Sequence, residues 1–114
     1  MLNLKKQKTE LMDNNKIIFE YHDVTASASL ETFTKEKLEI IFTRFEFVQR
    51  ADVFFKTENT TSDETGMKCG IRLSAPGPRL FTESSHDTFR GAVVESIAEL
   101  KRQLQKRKEI YKSY

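Results

Sequence analysis

The densest run of chemistry-bearing side chains in this sequence is Lys101, Arg102, Lys106, Arg107, Lys108 and Lys112. From Lys101 to Lys112 there are six bases against the single acid Glu109, on a chain whose formal net charge is only +2. Side chains of this kind keep their protons at neutral pH, so their chemistry is anion recognition, above all of phosphate oxygens, and not proton transfer. Groups suited to catalysis are sparse by comparison. The two histidines, His22 and His86, lack the spacing of a helix-borne metal site, and there is no glycine-rich phosphate loop and no paired-carboxylate or nucleophile–base pattern. Asp63 and Glu64 sit together in a polar loop but are too few for a cation site. Cys69 stands mid-strand on an apolar face, where a thiol behaves as a small inert hydrophobe. The pattern predicts a binding protein without metal or other cofactor, and not an enzyme.

The bases need a scaffold, and the stretch His86–Tyr114 supplies one. Phe89, Val93, Ser96/Ile97, Leu100, Leu104 and Tyr111 recur at helical spacing and mark an apolar stripe, with Ser85 or Asp87 as the expected N-cap. At about 100° per residue, Arg90, Lys101, Lys108 and Lys112 fall on one flank of that stripe, and Arg102 and Lys106 lie toward the other side. Arg107 lands on the stripe itself, which predicts that the last two turns run beyond the core into solvent. Cations at a helix C-terminus offset the macrodipole, but that role accounts for two or three bases and not for a local excess of five. A polyanion-binding surface is the expectation.

The remaining elements follow in order. Residues 1–15, polar and rich in Lys, read as a flexible N-terminal extension, and residues 16–114 as one domain. Lys16–Val24 alternates as a half-buried strand. Ser27–Arg44 reads as a helix with Leu30, Thr34, Leu38, Ile41 and Phe45 on one face. Thr34 fits that face if its hydroxyl bonds back to the backbone. Lys37 and Arg44 occupy one flank beside Phe33 and Ile40, while Lys35 lies elsewhere, near Glu39. Phe47–Glu58, Met67–Ala75 and Arg79–Ser84 read as three further strands, the last two joined by a Pro76-Gly77 turn. The order β-α-β-β-β-α predicts an α+β two-layer sandwich, a four-stranded mainly antiparallel sheet with two helices packed on one face. Side by side, the helices would bring Lys37 and Arg44 into one patch with the bases of the last helix. A single cysteine excludes an intrachain disulfide, no stretch approaches a membrane span, and no secretory signal opens the sequence. A cytoplasmic setting is expected, with no membrane and no small-molecule substrate.

This order, with the closing segment ELKRQLQKRKE, resembles the ribosome hibernation-promoting factor and ribosome-associated inhibitor family, also called sigma-54 modulation proteins, in its short form. IRLSAPGPRLF resembles the family's third strand, turn and fourth strand, and HDVTASASLETFTKEKLEII resembles its first-helix segment, with Lys37-Leu38 at the usual Lys-Leu pair. The resemblance implies binding to the small ribosomal subunit, on 16S-type ribosomal RNA in the cleft for messenger and transfer RNA, and inhibition of translation by occupancy in stationary or stressed cells. It implies RNA contacts at Lys37, Lys101, Arg102, Lys106, Arg107 and Lys108, and by position at Lys35, Arg44, Arg90 and Lys112, on a protein that is a monomer off the ribosome. Two other readings stand beside it. One is a double-stranded RNA-binding module, against which the placement of the bases late in the helix argues. The other is a regulatory protein-interaction module using the sheet residues Ile18, Phe54 and Phe81.

Overall fold

Strands Ile17–His22 (β1), Arg50–Thr57 (β2), Met67–Ser74 (β3) and Leu80–His86 (β4) form one sheet in that spatial order. Helices Ala28–Arg44 (α1) and Phe89–Lys112 (α2) complete the β-α-β-β-β-α chain. This is a computed structural model, and it describes residues 16–58 and 66–112. The N-terminal extension and the Asp63–Glu64 pair lie outside the described residues. β1 pairs parallel with β2, and the other two pairings are antiparallel. A parallel neighbour needs a crossover connection, and α1 is that connection, which fixes it against the sheet.

Alternation decides which face is covered. Ala51, Val53 and Phe55 of β2, Cys69, Ile71 and Leu73 of β3, and Leu80 and Thr82 of β4 all point into the core. The register sets Val53 opposite Ile71 and Phe55 opposite Cys69. From α1 the buried side chains are Leu30, Thr34, Leu38, Ile41 and, at the cap, Phe45; from α2 they are Ala92, Val93, Ser96, Ile97, Leu100 and Leu104. Each large aliphatic among them contributes about 1.5–3 kcal/mol by leaving water. Thr34 donates its hydroxyl to the Leu30 carbonyl at 2.8 Å, so its buried oxygen costs little. Ser96 donates to the Cys69 carbonyl at 3.1 Å, a small residue that lets α2 approach β3 closely.

Several boundaries differ from the sequence expectation, each for a local reason. β2 begins at Arg50 and not at Phe47, because the chain first turns through a bond from the Val48 amide to the Phe45 carbonyl at 3.0 Å. β4 runs on to His86, since pairing with β3 persists to the Met67–His86 pair. Ser85 is therefore a strand residue, and the Asp87 carboxylate lies 2.5 Å from His86 Nδ1. The α2 cap is Thr88 instead: its Oγ1 accepts from the Gly91 amide at 3.0 Å and its carbonyl from the Ala92 amide at 3.1 Å. α1 is capped by Ser27, whose Oγ accepts from the Leu30 amide at 3.2 Å.

The end of α2 also departs from expectation. Leu104 is fully buried, and the helix does not run free into solvent after it. The Arg107 guanidinium donates to the carbonyls of Pro76 (2.8 Å) and Pro78 (2.7 Å), gripping the β3–β4 turn from both sides of Gly77. Gly77 has φ +94°, a conformation that a side chain would strain, and a Cβ there would stand 3.1 Å from the guanidinium. Tyr111 donates its hydroxyl to the Pro76 carbonyl and packs its ring edge-on against Phe47, centroids 4.9 Å apart.

Candidate nucleic-acid interface

α1 and α2 lie alongside each other and run in the same direction, because the start of each meets at Phe33 and the end of α1 meets the late turns of α2 at Phe45. The Phe33 ring carries Lys37 Nζ at 5.3 Å from its own helix and Arg90 Cζ at 4.9 Å from α2. The Phe45 ring carries Arg44 Cζ at 5.2 Å and Lys108 Nζ at 5.9 Å, again one cation from each side. Phe45 is buried and Phe33 half-buried, so these cations rest on ring surface at the edge of the core, each gaining on the order of 0.5–1 kcal/mol while its head stays hydrated. Each ring thus holds a base from each side of the seam at the rim of the inter-helix groove.

Lys101 falls between the two ring stations on the same flank of α2, two turns before Lys108. Arg90 and Lys108 are eighteen positions apart, so the cationic line is about 27 Å long at 1.5 Å per residue. Among the described residues, no carboxylate lies within ion-pair distance of Lys37, Arg44, Arg90, Lys101 or Lys108. Glu36 shares a surface hollow with Arg90, and Glu36 and Glu39 share another with Arg44, so acids border the line without pairing with its bases among the described residues. Near the amino ends of the helices the seam opens into a shallow hollow of about 370 Å³ lined by Ser29, Thr32, Phe33, Glu36 and Arg90.

The other predicted bases take different places. Lys112 sits one turn beyond Lys108 on the same flank, exposed in the last turn. Arg102 points outward and pairs with Glu99, holding that carboxyl below its ordinary pKa, with Lys106 adding to the same field. Lys35 lies on the far flank of α1, over the Phe19 ring of β1 at 5.9 Å. Arg107 faces the β3–β4 turn and not the groove. The two aromatic anchors, Phe33 and Phe45, were not among the sequence candidates. The available signal was the i, i+4 pair Phe33/Lys37 and the neighbours Arg44 and Phe45, which become informative only when a second helix brings its own cation to each ring.

Chemistry beyond ion pairing finds little support here. Cys69 is fully buried and burial pushes its thiol up to about 12, so it is not a nucleophile at neutral pH. No cluster of three or more His, Cys, Asp or Glu side chains among the described residues could hold a metal ion. No described helix is long and apolar enough to cross a membrane.

The chain is a two-layer α+β domain with bases from both helices along their seam. The chain belongs to the sigma 54 modulation protein / S30EA ribosomal protein family, whose model matches residues 17–112. That places it in a ribosome-associated family. Among solved structures it is similar to a ribosomal subunit interface protein from Coxiella burnetii, with a TM-score of 0.67 and 18% identity over 82% of this chain and 98% of that one. It is also similar to the N-terminal domain of Protein Y from Thermus thermophilus, with a TM-score of 0.65 and 13% identity over 79% of this chain and 93% of that one. At such identities these two likenesses speak for the fold. Comparison with curated protein sequences gives no significant match.

Proposed function

We propose that this protein is a translation inhibitor of the hibernation type, which binds 16S-type ribosomal RNA in the messenger- and transfer-RNA cleft of the small subunit. The observation that carries this reading is the groove line: five bases from two helices, with no carboxylate at ion-pair distance among the described residues. Binding of a phosphate backbone through such a row is driven by counterion release. Family membership supports the ribosomal destination, as does the likeness to a ribosomal subunit interface protein. Inhibition then needs no chemistry, only occupancy of the cleft by a monomer that acts in the cytoplasm under stress or in stationary phase. Of the other predicted contacts, Arg102, Lys106 and Lys112 serve as outer contacts. Lys35 and Arg107 are assigned structural roles and not RNA contact.

The test is cell-free translation with the protein in excess over ribosomes, read together with cosedimentation. Full-length protein and a version starting at Asn15 should both inhibit and travel with small subunits. The combined Lys101→Ala/Lys108→Ala variant should do neither while melting like the parent. Unimpaired translation with saturating folded protein would refute the proposal.

A further inference from the structure

The sheet face turned away from the helices carries a second set of groups that the groove does not use. The Phe54 ring covers Gly70 on the neighbouring strand, so closely that a Cβ there would fall 2.0 Å from the Phe54 Cζ. Glycine at this position is what lets the ring lie on the strand. The Phe81 ring from β4 lies nearly parallel to it, 18° between planes and 6.3 Å between centroids, and is 44% exposed. His22 meets the Phe54 ring edge-on at 5.8 Å. Lys56 Nζ stands 5.7 Å from the Phe54 centroid, and Arg72 is the cross-strand partner of Phe81.

The charges around these rings are unevenly satisfied. Asp52 is held by Arg50 at 2.8 Å, and Lys68 takes both Glu58 and Glu83. Lys56 and Arg72 have no carboxylate at ion-pair distance among the described residues. The face therefore offers two nearly parallel rings with two cations beside them, Lys56 near Glu58 and Arg72 opposite Asp52, neither in an ion pair among the described residues. A protein partner fits poorly. A stable protein interface takes about 800 Å² from each side around a dry apolar centre, whereas among the described residues Ile18 is the one other apolar side chain on this face, and charged residues border all three. Single-stranded RNA fits better, because unstacked bases settle on aromatic rings projecting from a sheet while flanking cations take the phosphates.

We infer that the open sheet face is a second RNA-contacting surface, which takes single-stranded RNA by stacking bases on Phe54 and Phe81 with Lys56 and Arg72 on the backbone. This surface is opposite the groove, so it stands whether or not the groove binds ribosomal RNA. It gives the domain two RNA-facing sides: one for structured RNA by charge, the other for unpaired nucleotides by stacking.

The experiment is fluorescence anisotropy of the full chain with a labelled, unstructured eight-nucleotide RNA, alongside NMR of the Phe ring protons. Binding should shift the Phe54 and Phe81 ring resonances. Phe81→Ala, at an exposed edge-strand position, should weaken binding about tenfold, within the range of one lost stacking contact, and Phe81→Tyr should restore it. Arg72→Gln should weaken binding and lower the salt slope by about one. With Lys101→Ala/Lys108→Ala the Phe54 and Phe81 ring shifts should persist and remain sensitive to Phe81→Ala, which separates this surface from the groove. The inference is overturned if the parent does not bind the oligonucleotide, or if binding follows Lys101 and Lys108 and ignores Phe81. It is also overturned if Phe81→Ala instead abolishes a self-association seen by sedimentation, since the face would then join two copies of the chain.

Discussion

Replacing Arg107 distinguishes a phosphate contact from a structural clasp. Its two hydrogen bonds reach Pro76 and Pro78 on opposite sides of Gly77, so one planar guanidinium spans a turn that a single ammonium cannot span in the same way. Charged hydrogen bonds contribute about 1.5–3 kcal/mol each when shielded, and these sit in a half-exposed site, so together they are worth about 1–2 kcal/mol. For a domain of this size that corresponds to a drop in Tm of roughly 4–8 °C for Arg107→Ala. Arg107→Lys keeps the charge but loses the fork, and should recover no more than about half of the drop. Thermal unfolding by circular dichroism measures both. The companion assay is binding to small ribosomal subunits across a salt series, where the clasp predicts an unchanged slope for both variants. A phosphate contact predicts the reverse: unaltered melting, a slope lower by about one for Arg107→Ala, and near-parental affinity for Arg107→Lys. That second pattern would show that the geometry at the turn has been misread.

Lys37→Ala, Lys101→Ala and Lys108→Ala should each weaken small-subunit binding and lower its salt slope by about one, with Lys35→Ala and Glu95→Ala neutral in the same filter-binding series. Thr88→Ala should cost about 1 kcal/mol of stability in urea unfolding, and Asp87→Ala much less, because Thr88 caps α2. Alkaline stability should depend on Cys69. Its folded pKa of about 12 lies above the ordinary thiol value of about 8.5, so the unfolded chain loses this proton first and stability falls as pH rises through that window. In denaturant titrations from pH 8 upward, Cys69→Ala should begin less stable but show a shallower alkaline decline. The remaining decline would come from groups such as Tyr21, whose hydroxyl is raised by burial and by its hydrogen bond to Glu31.

Much of the architecture is legible in one dimension because it depends on period. The alternation in the strands and the face of Leu30, Thr34, Leu38, Ile41 and Phe45 specify what each element must bury, and the Pro76-Gly77 pair marks the turn. Even the Thr34 back-bond follows from a hydroxyl on a buried helical face. The flank shared by Arg90, Lys101 and Lys108 is likewise a property of helical phase alone.

Tertiary structure decided the rest, wherever a side chain's role depends on a neighbour distant in sequence. The bases of α1 and α2 become one line because Phe33 and Phe45 each meet a cation from the other helix, a contact between residues 57 to 63 positions apart. Arg107 looks like part of the basic run until the helix brings it against a turn 29 to 31 residues earlier. Thr88 becomes the cap because strand pairing claims Ser85 and His86, which helical periodicity does not register. Gly70 reads as a weak point in a strand until the pairing with Phe54 shows that a ring occupies the space of its missing side chain. Periodicity assigns a residue to a face, but only packing determines which distant group it meets there.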